Sequence, residues 1–148
     1  MDPNDLYILI NELVAAIHAL AGYPVPASLP SVQLAPLAEM QAIVCHGPCG
    51  VRGFYTPERG VFINESLDLK RNIVARSVLL HELVHYVQHV SGKFDGLHGD
   101  CYRWFMRERE AYDIQNAYLR DNRESTRFHF ESVPVMCRGE DDDETSYR

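Results

Sequence analysis

The sequence predicts a small α+β domain in which a short β-sheet packs against a central helix. A length of 148 residues suits a single domain, and 46% hydrophobic with 24% charged residues is typical of a globular protein. Segment 69–90 is apolar on nearly every side, which indicates a helix buried in the domain centre. We expect one domain over residues 1–138 and an acidic, disordered tail over residues 139–148.

The elements before the central helix begin with an amphipathic helix. Its apolar residues recur every three or four positions over 6–20, after a cap at Asn4 or Asp5. A proline-rich connector, a short strand at 31–35 and a short helix at 36–44 follow.

Two strands joined by a turn are predicted immediately before the central helix. They cover 51–55 and 61–64, and a segment containing proline and glycine separates them. After a glycine-rich loop at 92–99, a further helix is predicted over 100–119, with apolar and aromatic side chains on one face.

The net charge argues against a nucleic-acid partner, and the pattern of apolar residues argues against a membrane partner. Twenty-one acidic and 14 basic side chains give a net charge of −7, which repels phosphate backbones. The longest apolar stretches, 6–20 and 78–90, are interrupted by polar residues, so we expect no membrane span. The N-terminus has no signal-peptide pattern. We therefore expect a cytoplasmic protein if the chain is full length, and a secreted or periplasmic protein if a signal peptide has been removed.

The four cysteines leave the redox state open. Cys45, Cys49, Cys101 and Cys137 could pair or stay reduced. Cys45 and Cys49 flank His46, but no second cysteine pair is available to complete a tetrahedral zinc site. A disulfide or free thiols are therefore favoured over a metal at this position.

The segment His81-Glu82-Leu83-Val84-His85 carries the clearest chemical signal. Histidines at i and i+4 lie on one helix face and can bind one ion. Glu82 points to the neighbouring face, where a carboxylate can take a proton from water that the metal activates. Burying these groups without a partner costs on the order of several kcal/mol. The segment therefore predicts a metal site, with zinc as the ion.

A catalytic zinc needs a third protein ligand, and several candidates lie downstream. His89 follows His85 by four residues and so lies on the same helix face. Three ligands along one straight helix span about 12 Å, so we expect His89 either to contact the ligands from outside the coordination sphere or to lie at the surface. Asp95 and His98 lie in the following loop, which is loosely similar to the aspzincin motif. Glu108 and Glu110 lie on the next predicted helix, and the helical wheel places Glu108 on its core face.

The two predicted helices together resemble the gluzincins, HExxH metallopeptidases whose third ligand is a glutamate in the form Glu-x-x-Ala. Segment 108–111, Glu-Arg-Glu-Ala, matches that form, with Tyr112 where Asp or Asn is usual. Ser91 occupies the position of the histidine that the metzincins require, which excludes that class. The resemblance implies Glu108 as the third ligand, with Glu110 as the alternative.

The resemblance covers residues 32–119 and implies a minimal, zincin-like metallopeptidase that hydrolyses a peptide or protein substrate. Its zinc ligands would be His81, His85 and Glu108, with Glu82 as the general base. The alternative is a non-catalytic zinc-binding sensor or a protein-interaction domain that retains the same fold.

The resemblance also implies where a substrate would bind. Gluzincins add an extended peptide to an edge strand, and here that strand would consist of Val61, Phe62, Ile63 and Asn64. Gln88 and Gln115 are polar on apolar helix faces, so we expect them to hydrogen-bond the metal ligands. The side chain that stabilises the oxyanion stays open among four candidates: Tyr55, His98, Tyr112 and His129.

Overall fold

A computed structural model describes residues 1–45 and 49–130. These residues form four helices and one three-stranded sheet, so the predicted α+β class is confirmed. The expected tail at 139–148 lies outside the described residues, as do His46 and Cys137. In chain order the elements are α1 (Pro3–Ala21), β1 (Val32–Ala35), α2 (Leu37–Val44), β2 (Gly53–Thr56), β3 (Gly60–Asn64), α3 (Ile73–Ser91) and α4 (Asp100–Asp121).

Local hydrogen bonds determine where α1 and α3 begin and end. Asp2 caps α1 in place of the predicted Asn4 or Asp5, because its side chain accepts a hydrogen bond from the backbone N–H of Asn4 at 2.8 Å. Asn72 caps α3 by accepting hydrogen bonds from two backbone N–H groups of the first turn. Gly92 ends α3 with a φ of 68°, a left-handed conformation that glycine adopts without steric cost.

The sheet has the strand order β1-β3-β2, which places β3 in the centre. β1 runs parallel to β3, and β2 runs antiparallel to it. The expectation that Val61–Asn64 forms a free edge is therefore wrong, because β3 is paired on both sides. β2 is the edge strand that packs against α3.

The centre of the molecule is α3, as the sequence predicted. It packs against α1 and α4 on one side and against the sheet on the other. Leu79, Leu80 and Leu83 are fully buried on it. The opposite face of the sheet carries a second apolar cluster, in which the rings of Phe54 and Phe62 stack at 4.9 Å. The sheet is thus covered on both faces.

Within the described residues, α1 is the one helix that is long and apolar enough to cross a membrane. Its 18-residue window has a mean hydropathy of 1.2 and lies near the N-terminus. Core helices and signal sequences have the same length and composition, so this is weak evidence of a span. Five of its side chains are buried in the core: Leu9, Ile10, Leu13, Val14 and Ile17.

The cysteines of the described residues are oxidised. Cys45 and Cys49 form a disulfide that closes a short loop between α2 and β2. Cys101, near the start of α4, is also disulfide-bonded. The pair at 45 and 49 is therefore a covalent crosslink in the wall of the domain rather than a metal site.

Candidate metal centre

Two neighbouring helices bring three metal-ligating side chains together. His81 and His85 lie one turn apart on α3, and Glu108 lies on α4, which packs against α3. All three are buried, and one ligand atom from each lies within 4.8 Å of the other two. Among residues 1–45 and 49–130, no other group of histidine, cysteine and carboxylate side chains has this arrangement. The predicted residues thus form a group that could hold a metal ion.

The Glu108 carboxylate reaches both imidazoles. Its Oε1 lies 3.1 Å from His81 Nε2, and its Oε2 lies 2.9 Å from His85 Nε2. In a tetrahedral site with metal–ligand bonds of about 2.0–2.2 Å, ligand atoms lie about 3.3 Å apart. The group is therefore close to the size of a metal coordination sphere.

Glu108 is ionised in this environment. Burial opposes ionisation, but the charge of His85 and the hydrogen bond with His81 outweigh it and lower the pKa of Glu108 to about 2. An anionic carboxylate between two imidazoles is a suitable set of donors for a divalent cation.

Two atoms of the group test whether a metal fits. Within the described part of the chain, His85 Nε2 and Glu108 Oε2 are buried and make no hydrogen bond, although they lie only 2.9 Å apart. Buried polar atoms nearly always have a partner. A cation in contact with both atoms would satisfy them, so the residues present fit a bound metal.

Each histidine contacts a glutamine through Nδ1, the ring nitrogen that does not face Glu108. His81 Nδ1 lies 2.9 Å from Gln115 Oε1, and His85 Nδ1 lies 2.9 Å from Gln88 Oε1. An oxygen facing Nδ1 keeps a proton on that nitrogen, so Nε2 is the ring nitrogen whose lone pair a metal can use. The prediction that these glutamines hydrogen-bond the two histidines is confirmed.

Glu82 lies beside the metal-ligating group without joining it. The residue is 4% exposed and, like His81, lines the cleft. The edge strand β2 approaches it closely at Gly53, where an added Cβ would lie 3.2 Å from Glu82 Cγ. A buried carboxylate is therefore present next to the three candidate ligands.

A cleft of about 530 Å³ opens over the group. The Cys45–Cys49 disulfide and the segment 50–53, which ends at the first residue of β2, form one wall. Trp104 and Tyr112 of α4 form the other wall, and Phe128 and Phe130 line it from beyond the end of α4. The metal-ligating group is thus reached through a cleft that is lined on one side by aromatic residues.

Tyr112 is the oxyanion candidate that lies in this cleft. Its ring centroid lies 4.4 Å from that of His81, and it stacks on Phe130 at 5.4 Å. Burial, followed by the charges of Glu108 and Glu82, raises the pKa of Tyr112, so its phenol stays protonated and can donate a hydrogen bond. The other three candidates are not among the lining residues: Tyr55, His98 and His129.

The remaining candidate ligands lie outside the metal-ligating group. Glu110, the alternative third ligand, is engaged in other hydrogen bonds. His89 lies at the surface, one of the two positions expected for it, and its Nδ1 lies 2.8 Å from the hydroxyl of Tyr55. Asp95 and His98, in the loop after α3, are likewise not part of the group.

The part of the cleft that comes from beyond α4 was not predicted from the sequence. The guanidinium of Arg52 lies 5.5 Å from the ring centroid of Phe128. Asn116 of α4 holds the backbone of Phe128 by two hydrogen bonds of 2.8 Å. The two aromatic residues at 128 and 130, separated by one residue, are a signal that could have indicated a packed, extended segment.

No family model matches the chain, and no significant match is found among curated proteins or solved structures. The class of protein therefore rests on the geometry. The fold and the site define a small α+β domain with a buried His-His-Glu group, in HExxH spacing, that could hold a metal ion.

Proposed function

We propose that this protein is a zinc-dependent metallopeptidase of the gluzincin type. The observation that carries the proposal is the buried group of His81, His85 and Glu108 with Glu82 in the same cleft. Two imidazoles and one carboxylate are the ligands of known catalytic zinc sites. A purely structural site has no need of a further carboxylate beside it, so Glu82 favours turnover.

The residues around the site have distinct roles in this proposal. Bound zinc would supply Lewis-acid polarisation of a peptide carbonyl and would make water more acidic. The Glu82 carboxylate takes a proton from the attacking water and later delivers it to the leaving amine. The neutral phenol of Tyr112, whose ring packs on that of His81 with 4.4 Å between centroids, would donate a hydrogen bond to the developing oxyanion.

The substrate would bind along β2 rather than β3. Both sides of β3 are paired, whereas β2 pairs with β3 on one side only among the described residues. Its first residue, Gly53, lines the cleft beside Glu82. A peptide that adds to this edge in an extended conformation would run across the metal-ligating group.

The second candidate is a zinc-binding domain without turnover, acting as a sensor or an interaction module. The observation in its favour is the packing of Phe128 and Phe130 at the cleft, because these rings narrow the path of a substrate. Both candidates require the metal, and only the peptidase requires Glu82.

The experiment that separates them compares metal content and peptide hydrolysis in one set of variants. Glu82→Gln should retain stoichiometric zinc and lose about 10²–10⁴-fold in the rate of hydrolysis of a quenched fluorescent peptide library. Glu108→Ala should lose the zinc. Glu65→Gln, in the exposed turn after β3, is the matched control and should behave as wild type.

Two results would contradict the proposal. Unchanged hydrolysis in Glu82→Gln would remove the general base, and an absence of zinc in the wild type after exposure to zinc would remove the site. Stoichiometric zinc with no hydrolysis of any peptide would favour the non-catalytic alternative.

A further inference from the structure

A chain of hydrogen bonds leads from His85 away from the metal-ligating group. His85 Nδ1 lies 2.9 Å from Gln88 Oε1. The amide nitrogen of Gln88 donates two hydrogen bonds of 3.0 Å, one to the backbone carbonyl of Arg107 and one to Glu110 Oε1. Gln88 therefore connects a candidate metal ligand to a carboxylate that is not one.

Glu110 is held by side chains from two distant parts of the chain. The hydroxyl of Tyr23, in the connector after α1, donates to Oε1, and Lys93, in the loop after α3, pairs with Oε2. The Lys93 ammonium also lies 5.2 Å from the ring centroid of Tyr23. Burial, and after it the hydrogen bond and charge of Glu110, raises the pKa of Tyr23, which keeps the phenol a donor. Because both of its oxygens are engaged, the carboxylate has one orientation.

The orientation of the Gln88 amide decides whether Nδ1 of His85 can donate a hydrogen bond, while Nε2 faces Glu108 Oε2 at 2.9 Å. In the orientation found here, the amide oxygen accepts from Nδ1–H. A flipped amide would present its NH₂ to Nδ1 and favour the tautomer with the proton on Nε2, the atom that a metal needs. It would also turn its oxygen toward two other acceptors, the carboxylate of Glu110 and the carbonyl of Arg107. The flip is therefore unfavourable as long as Glu110 stays in place.

We propose that Glu110 is a positioning residue for His85. It fixes the amide of Gln88, and Gln88 in turn fixes the His85 tautomer with a free Nε2. The proposal rests on the metal-binding part of the proposed function and does not depend on hydrolysis.

The glutamine that hydrogen-bonds His81 is also held in one orientation, but by a hydroxyl group instead of a carboxylate. Gln115 Nε2 donates to Ser77 Oγ at 3.1 Å, and Ser77 Oγ donates to the carbonyl of Val74 at 2.7 Å. Because its proton is used for Val74, Ser77 can only accept from Gln115, so this amide is fixed as well. A neutral hydroxyl thus orients the support of His81, and a carboxylate orients that of His85.

The test is the zinc dissociation constant of the full chain, measured by competition with a fluorescent chelator. The leucine of Glu110→Leu cannot accept a hydrogen bond, so this variant should bind zinc about 10-fold more weakly or worse. Loss of a residue that hydrogen-bonds a metal ligand typically lowers metal affinity by about 10–100-fold. Glu110→Gln keeps an acceptor oxygen for Gln88 and should stay within about twofold of wild type. Asp113→Leu, at an exposed position of α4, removes the same charge and should leave the affinity unchanged.

A second readout follows the tautomer itself. The ¹⁵N chemical shifts of the His85 ring are recorded without metal in the Glu108→Ala background, which removes the carboxylate that lies 2.9 Å from His85 Nε2. In that background they should move toward the Nε2–H form when Glu110→Leu is added and should not move when Asp113→Leu is added. A role of Glu110 in general stability would leave the tautomer as it is. If Glu110→Leu does not fold, Glu110→Ala provides the same loss of the acceptor with a smaller side chain.

Two patterns of affinity would overturn the proposal. Equal weakening in the Leu and Gln variants would mean that only the charge of Glu110 matters, and unchanged affinity in the Leu variant would mean that Gln88 needs no support. Failure of the wild type itself to bind zinc would overturn the proposed function as well, and it is measured before any variant is compared.

Discussion

At the scale of single residues, Gly53 sets the distance between the edge strand and the candidate base. A Cβ at this position would lie 2.9 Å from Ile63 Cδ1 and 3.2 Å from both Glu82 Cγ and the carbonyl oxygen of Phe62. Contacts this short force neighbouring atoms to move, and the carbonyl belongs to the paired central strand. The two side chains, Ile63 at its terminal methyl and Glu82 at Cγ, are therefore the groups that would have to shift.

We predict that Gly53→Ala keeps the metal and impairs the reaction. Overpacking should lower the free energy of unfolding by about 1–3 kcal/mol. A displaced Glu82 should reduce peptide hydrolysis at least roughly tenfold. Thermal unfolding, zinc content and hydrolysis rate are the measurements. Gly50→Ala is the matched control, because a Cβ at Gly50 meets nothing within 4 Å. Equal rates in the two variants would contradict the prediction.

The residues that the sequence predicted best lie on the two long helices. The regular period of a helix fixes which side chains share a face, so the spacing placed His81 and His85 together and pointed Glu108 and the supporting glutamines inward. The partners of Glu110 could not be predicted in this way. Tyr23 and Lys93 reach it from separate loops, and the positions of loop residues follow from tertiary packing rather than from a local period.

At the scale of elements, the order of the strands also depends on tertiary packing that a local sequence pattern does not predict. The alternation and the turn predicted β2 and β3 as a hairpin, and they do pair antiparallel. The hairpin pattern does not predict whether a third strand pairs with β2 or with β3. β1, separated from β3 by α2 and β2, pairs along the outer side of β3 in parallel and moves it to the centre. The free edge beside the cleft therefore belongs to β2.

The segment after α4 is held against that helix by two kinds of contact. Asn116 bonds both the N–H and the carbonyl of Phe128, and the rings of Phe128 and Phe130 pack on Tyr112. The attachment of the segment 124–130 to the cleft therefore depends largely on one amide side chain and one group of aromatic contacts.

We predict that Asn116→Ala loosens this segment. The loss of both hydrogen bonds should cost about 1–3 kcal/mol locally. Limited digestion with chymotrypsin should then cleave within 124–130 roughly ten times faster, while α3 and α4 stay intact. Asn11→Ala is the control, because Asn11 bonds only within α1, to the carbonyl of Tyr7. Unchanged cleavage would mean that the aromatic contacts alone hold the segment.

At the scale of the whole molecule, the candidate metal site joins two halves of the helical layer. The histidines lie on α3 and Glu108 lies on α4, and the loop 92–99 connects the two helices along the chain. A ligand that binds the folded state and not the unfolded chain stabilises the fold in proportion to its affinity and concentration.

We predict that zinc raises the melting temperature and that EDTA reverses the change. At a free concentration 100 times the dissociation constant, the gain is about 2.7 kcal/mol. For a chain of this length that corresponds to about 5–11 °C. The measurement is differential scanning calorimetry with and without zinc. Glu108→Ala should show no shift, and an equal shift in this variant would mean that zinc binds elsewhere.

The Cys45–Cys49 disulfide lies in the wall of the same cleft, next to the residues that lead into β2. This position affects the choice of reagents in every assay of the site. A thiol reductant such as dithiothreitol would open the wall, and its sulfur atoms would also compete for zinc, because thiolates are strong ligands of that ion. Inhibition by dithiothreitol would therefore have two causes at once. A chelator without thiol groups acts on the ion alone and leaves the wall closed.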